Sequence, residues 1–122
     1  MSSRLKCLDI TGVDASDASL VSLVSNLPGL VSLSLAKTKA SDATVNAMAG
    51  RLLHLRSLSL AGCEIVTNES IFAVVGAFPE PAQVSLDLTA CRSLQPDKEF
   101  VEMLTTSLKQ CTLPDTTDRW KK

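Results

Sequence analysis

Residues 15–18 and 40–43 both read Ala-Ser-Asp-Ala, and the segments around them repeat at the same offset of 25. LKCLDITGV, from Leu5, aligns with LVSLSLAKT, from Leu30, and with LRSLSLAGC, from Leu55. Each follows the pattern L-x-x-L-x-[LI]. A fourth copy, QVSLDLTAC from Gln83, comes after a shift of 28; it keeps Leu86, Leu88 and Cys91, and Val84 stands in for the leading leucine. Such internal repetition is the strongest constraint a sequence can place on its fold, because neighbouring units must then adopt one conformation and pack on each other.

Each unit switches period partway through. Its head alternates every second residue, as a strand with one buried side does. After the head, apolar residues recur at i, i+3, i+4 and i+7: Leu20/Leu23/Val24/Leu27, Val45/Met48/Ala49/Leu52 and Ile71/Val74/Val75/Phe78. The fourth unit offers Phe100, Met103 and Leu104, and its pattern breaks at Ser107. These stripes predict amphipathic helices. Ser16 or Asp17, Ser41 or Asp42, and Thr67 or Asn68 stand where an N-cap is needed, and their side-chain oxygens can accept from first-turn amides. Pro28-Gly29, Pro79 and Pro81 end the first and third helices.

A strand and a helix every 25 to 28 residues, headed by L-x-x-L-x-L, resembles the leucine-rich repeat, over roughly residues 5–110. LSLAGCEIVTNESI, at 58–71, is most similar to the cysteine-containing, ribonuclease-inhibitor-like subclass seen in F-box leucine-rich-repeat proteins. Cys63 and Cys91 match that subclass, whereas Val13 and Thr38 depart from it. The resemblance implies an α/β fold: a short solenoid of about four strand–helix units, with a parallel sheet on the concave face and helices on the convex face. The units fall near 5–29, 30–54, 55–82 and 83–111, in a solenoid spanning 1–114, with a polar tail at 115–122. In that tail Trp120 has enough apolar area to fold over the end of the last unit. At the other end, the strand at Leu5–Ile10 is expected to present a bare edge, which suits a piece of a longer solenoid, a covering partner or homo-oligomerisation.

Composition narrows the chemistry. Twelve basic and 13 acidic residues leave a net charge of −1, which gives no reason to expect nucleic acid or an anionic membrane as partner. Four scattered cysteines without a CxxC pair argue against a zinc site or a disulfide framework and for a cytoplasmic, or nuclear, setting. No GxGxxG, P-loop, HExxH or GxSxG is present, so neither a cofactor nor an enzymatic activity is expected. His54 is read as a surface or packing residue, and Glu99/Glu102 as part of a solvated helix face. Cys63 and Cys91 are read as a buried stack, Cys7 as exposed, and Cys111 as a packing residue near the end of the last helix.

The family commonly grips proteins with the non-leucine strand positions, and the resemblance maps that surface onto columns of this sequence. One runs Lys6, Val31, Arg56, Val84; the next Cys7, Ser32, Ser57, Ser85; the third Asp9, Ser34, Ser59, Asp87. Beyond them lie Thr11, Ala36, Ala61, Thr89 and then Gly12, Lys37, Gly62, Ala90. Two readings are open. The small residues either fill an unselected sheet face or form a smooth floor on which Lys6, Lys37, Arg56, Asp9 and Asp87 orient a partner. The implied function is that of a protein–protein interaction adaptor or scaffold. The alternatives are substrate recognition for an F-box-type ubiquitin ligase, whose adaptor-binding part would lie on a longer parent chain, and a self-assembling structural element.

Overall fold

The computed structural model describes residues 5–95 and 97–112. Trp120 and the polar tail lie outside the described residues. Five short strands, β1 (Cys7–Asp9), β2 (Ser32–Ser34), β3 (Ser57–Ser59), β4 (Ser85–Asp87) and β5 (Gln110–Thr112), pair in parallel in the order of the chain. Between them run α1 (Asp17–Ser25), α2 (Asp42–Met48), α3 (Asn68–Ala77) and α4 (Lys98–Ser107). Residues 81–83 add a single 3-10 turn before β4.

The leucines set the register. Leu8, Leu33, Leu58 and Leu86 stand opposite one another in the sheet, and Cys111 takes the fifth place. Leu33, Leu58 and Leu86 are at most 2% exposed, as are Leu35, Leu60 and Leu88 two places on. These residues meet the helical stripe of Leu20, Val24, Val45, Met48, Ile71, Val74, Phe100 and Leu104, and the two sets form one core. Each such leucine contributes about 2 kcal/mol when fully buried. In the fourth unit Val84 is 1% exposed and replaces the missing leading leucine, while Gln83 stays in solvent.

Beyond the strands the parallel ladder continues through the turns. Gly12 N–H donates to the Ala36 carbonyl at 2.8 Å, Lys37 N–H to Ala61 at 2.7 Å and Gly62 N–H to Thr89 at 2.7 Å. The chain bends sharply there, with positive φ at Gly12 (76°), Lys37 (57°), Gly62 (76°) and Ala90 (62°). Glycine suits two of these turns; Lys37 and Ala90 hold the left-handed conformation against the clash of a Cβ.

The helix starts resolve the Ser-Asp pair into two roles. Ser16 caps α1 by accepting from Ser19 N–H, and Ser41 caps α2 by accepting from Ala43 N–H. The aspartates instead reach into the next unit. Asp17 accepts from Ser41 N–H at 3.1 Å and from the Thr44 hydroxyl, while Asp42 accepts from Thr67 N–H at 2.7 Å and from the hydroxyls of Thr67 and Ser70. Asn68, in the same column, donates to the Gln95 carbonyl and accepts from Gln95 N–H, both at 2.8 Å. Thr67 makes no side-chain cap, because its hydroxyl is committed to Asp42.

One expectation is corrected. Cys111 lies on β5 and not at the end of a helix; α4 stops at Ser107 and the chain re-enters the sheet. Of the residues offered as N-caps, Ser16, Ser41 and Thr67 take that position, and Asp17, Asp42 and Asn68 tie the units together.

Candidate functional site

Every helix packs on the leucine side of the sheet, and no described element covers the other side. That is unusual for parallel strands, which are nearly always covered on both faces. The uncovered face is laid out in rows, each crossing all five strands.

The first row is Lys6, Val31, Arg56, Val84 and Lys109. Val31 N–H donates to the Lys6 carbonyl and Arg56 N–H to Val31, both at 2.7 Å, and Lys109 N–H donates to Val84 at 2.9 Å. Between Arg56 and Val84 the row is interrupted, since Val84 N–H turns to Pro81 and the Arg56 carbonyl accepts from Ser85. Lys6, Arg56 and Lys109 are exposed, Val31 is half-buried, and Val84 belongs to the core. Cations therefore stand on the first, third and fifth strands. Lys6, Val31, His54 and Arg56, with Pro28 and Gly29, line a shallow groove of about 490 Å³. Arg56 Nη2 lies 3.6 Å from Glu80 Oε1, an exposed pair of the kind worth under about 1 kcal/mol.

Next comes the row of Cys7, Ser32, Ser57, Ser85 and Gln110. Among the described residues, the hydroxyls of Ser32, Ser57 and Ser85 have no hydrogen-bond partner within the chain.

In the third row, Asp9, Ser34, Ser59, Asp87 and Thr112, the first four side chains serve their own turns. Asp9 Oδ1 accepts from Thr11 N–H at 3.0 Å and from the Thr11 hydroxyl, and Asp87 repeats this with Thr89. Ser34 and Ser59 each accept from an alanine amide two residues on, at 3.4 Å. The pairing is coded: Asp comes with Thr, which has a hydroxyl to give, and Ser comes with Ala. The Thr11 hydroxyl and amide hold the Asp9 carboxyl below the ordinary carboxylate range.

All ten residues expected at the binding surface therefore lie on this face or its rim, but they do not form one cluster. Lys6 and Arg56 stand before the strands, and Ser32, Ser57 and Ser85 in the middle. Asp9, Ser34, Ser59 and Asp87 each commit a side-chain oxygen to a turn. Lys37 is in the turn after β2, across the face from Arg56, beside Lys39, Glu64 and Arg92. There Lys39 pairs with Asp14 at 3.1 Å and Arg92 with Glu64 at 3.6 Å, each joining adjacent units.

Lys109 and Gln110 are additions that the sequence reading missed. The offset of 25 carries Val84 to Lys109 and Leu86 to Cys111, so Leu108-Lys109-Gln110-Cys111 continues the repeat with a cysteine where a leucine stood.

The cysteines divide by burial. Cys63 Sγ–H donates to the Leu35 carbonyl at 3.0 Å and Cys91 Sγ–H to Leu60 at 2.9 Å, each reaching back one unit. Thr38 occupies the same column and its hydroxyl bonds the same Leu35 carbonyl. Burial raises the Cys63 pKa and pushes Cys91 up to about 12. Cys111 is raised to about 11 by burial and by the charge of Asp87. Cys7 is exposed. Among the described residues no group of three or more His, Cys, Asp and Glu side chains is placed to hold a metal ion, and no helix is long and apolar enough to cross a membrane.

No protein-family model matches the chain. Among solved structures it is similar to leiomodin-1 actin-binding site 2, with a TM-score of 0.71 and 19% identity, covering 90% of this chain and 70% of that one. It is also similar to a chain of the Rad7 and Elc1 complex from yeast, with a TM-score of 0.61 and 22% identity, over 81% of this chain and 24% of that one. At such identities the likeness concerns the fold alone, and with the ladder of parallel strands and alternating helices it makes this chain a short α/β leucine-rich-repeat solenoid.

Proposed function

We propose that this chain is a non-enzymatic protein-interaction module, an adaptor or scaffold that binds a protein partner on the uncovered face of its sheet. One observation carries the reading: a parallel sheet of five strands keeps one face bare, with Ser57 exposed at its centre and cations along one side. Covering it requires no rearrangement of the core. That the fold also serves leiomodin-1 as an actin-binding site is in keeping with a protein partner. Cys63 and Cys91, each bonded to a carbonyl of the preceding unit, support the cysteine-containing subclass, and with it substrate recognition in a ubiquitin ligase as the narrower form of this role.

The test is affinity capture with the wild type, Lys6→Glu/Arg56→Glu, Ser57→Arg and, as a control on the helix side, Glu102→Lys. Partners held by the wild type and the control and lost by both sheet-face variants are the expected result. Equal capture by all four contradicts the proposal.

A second reading, self-association through β1, has its own observation. Leu5 and Val13 are 40% and 45% exposed, and Leu8 and Ile10 are half-buried, whereas their counterparts in the second and third units are buried. Light scattering across a concentration series tests it: a dimer that Leu8→Lys dissociates supports the reading, and a monomer throughout rejects it.

A further inference from the structure

Lys6, Arg56 and Lys109 occupy alternate strands of one row. Parallel strands lie ~4.8 Å apart, so the three positions recur every ~9.6 Å in a line across the sheet. A partner that uses all three must present negative groups at the same interval on one side. An extended β-strand does not, since side chains three apart fall on opposite faces. A polyproline II segment does: with three residues per turn and a rise of ~3.1 Å, every third side chain returns to the same side after ~9.3 Å. An α-helix comes close with carboxylates seven apart, ~10.5 Å, but it drifts out of step by about 2 Å over the three cations and hides its backbone.

The second row decides between these. The hydroxyls of Ser32, Ser57 and Ser85, without partners in the chain among the described residues, run parallel to the cations. A polyproline II segment carries its carbonyls unbonded, and those on one side return every ~9.3 Å, close to the ~9.6 Å between Ser32 on β2 and Ser85 on β4. The adjacent Ser34 is placed differently, its hydroxyl lying 2.8 Å from that of Thr11, which itself donates to Asp9. Among the described residues Glu80 is the carboxylate paired within the cation row, at 3.6 Å from Arg56, and an incoming carboxylate competes with it.

Resting on the protein-binding reading above, we propose that the partner contributes an acidic segment in polyproline II conformation that lies across the strands. A carboxylate at every third residue meets Lys6, Arg56 and Lys109, and backbone carbonyls one turn apart accept from Ser32 and Ser85.

The probe is a fluorescent peptide of repeated Glu-Pro-Pro triplets, followed by anisotropy, beside a peptide of equal composition with its glutamates contiguous. Saturable binding of the spaced peptide is expected, weakening as salt rises. Lys6→Gln, Arg56→Gln and Lys109→Gln should each weaken it ~3-fold, and Glu80→Gln should tighten it ~2-fold by removing the competitor for Arg56. Circular dichroism verifies that each variant keeps its fold. Equal affinity for the two peptides, no saturable binding, or full competition by a mixed-sequence single-stranded oligonucleotide would each overturn the proposal. Failure here with continued loss of partner capture in Ser57→Arg would reject the acidic segment and leave the sheet-face reading standing; loss of neither would reject both.

Discussion

Asp42 holds Thr67 at two points, accepting its amide at 2.7 Å on one carboxylate oxygen and its hydroxyl on the other. The bonds cross from the start of α2 to the residue that precedes α3, so they join two repeats where each helix begins. Asp17 does the same for Ser41, and Asn68 for Gln95. Stability in a solenoid depends on such interfaces between neighbours, since no unit stands alone.

Removing this tie should be felt throughout the cooperative unit. Asp42→Ala strands the Thr67 amide and two hydroxyls and should lower stability by about 2–3 kcal/mol, the range for charge-assisted bonds at a part-buried site. Asp42→Asn keeps an acceptor for the amide and should lose roughly half as much. Urea denaturation of the three proteins measures both.

The same residue sets an acid limb. Burial alone would raise the Asp42 pKa, but the bonds from Ser70 and Thr67 outweigh it and leave the value below the ordinary carboxylate range; Asp17 behaves likewise through Thr44 and Ser41. A pKa lower in the folded than in the unfolded chain stabilises fully above the unfolded value, ~3.9, and that stabilisation fades as pH falls through the folded value. Thermal midpoints should therefore drop below about pH 4, and Asp42→Asn should show a shallower drop than the wild type. An identical acid limb in the variant would contradict this assignment.

Ala90 and Lys37 carry positive φ where Gly12 and Gly62 sit in the other two units. Glycine relieves the Cβ clash but gains freedom in the unfolded chain, so Ala90→Gly should stabilise by a net ~0.5–1 kcal/mol. The reverse change is worse than neutral. A Cβ on Gly62 would lie 3.1 Å from Lys37 Cγ as well as at φ 76°, so Gly62→Ala should destabilise by about 1–2 kcal/mol. Thermal melts of the pair give opposite signs if the turns are built as described.

Thiol chemistry should follow burial. Cys7 is exposed and should react first with an aromatic disulfide reagent, Cys111 slowly, and Cys63 and Cys91 only as the chain unfolds. Mass spectrometry of alkylated peptides over time orders the four. Rapid labelling of Cys63 or Cys91 in the native protein would contradict the buried stack.

Much of the fold was legible because the repeat states it several times. Leu33, Leu58 and Leu86 are 25 and 28 residues apart, and that spacing alone places them side by side in a parallel sheet. Less legible was anything that depends on which of two neighbouring polar groups bonds where. Ser41 and Asp42 both suit an N-cap, and only the geometry sends the longer, charged side chain forward to the next unit. The same ambiguity hid the roles of Asp9 and Asp87. As single residues they look available to a partner, yet Thr11 and Thr89, two places on, already claim an oxygen of each. β5 escaped notice because Cys111 breaks the leucine pattern, and with it went Lys109, the third cation of the row.

Whether the bare sheet face meets a partner is asked most directly by site-specific photocrosslinking. A photoreactive side chain would replace Ser57, at the centre of the face, or Glu102, exposed on α4. Discrete crosslinked species from position 57, absent from position 102, are the expected result. Crosslinks from position 102 with none from position 57 would contradict it, and would place the partner on the helices.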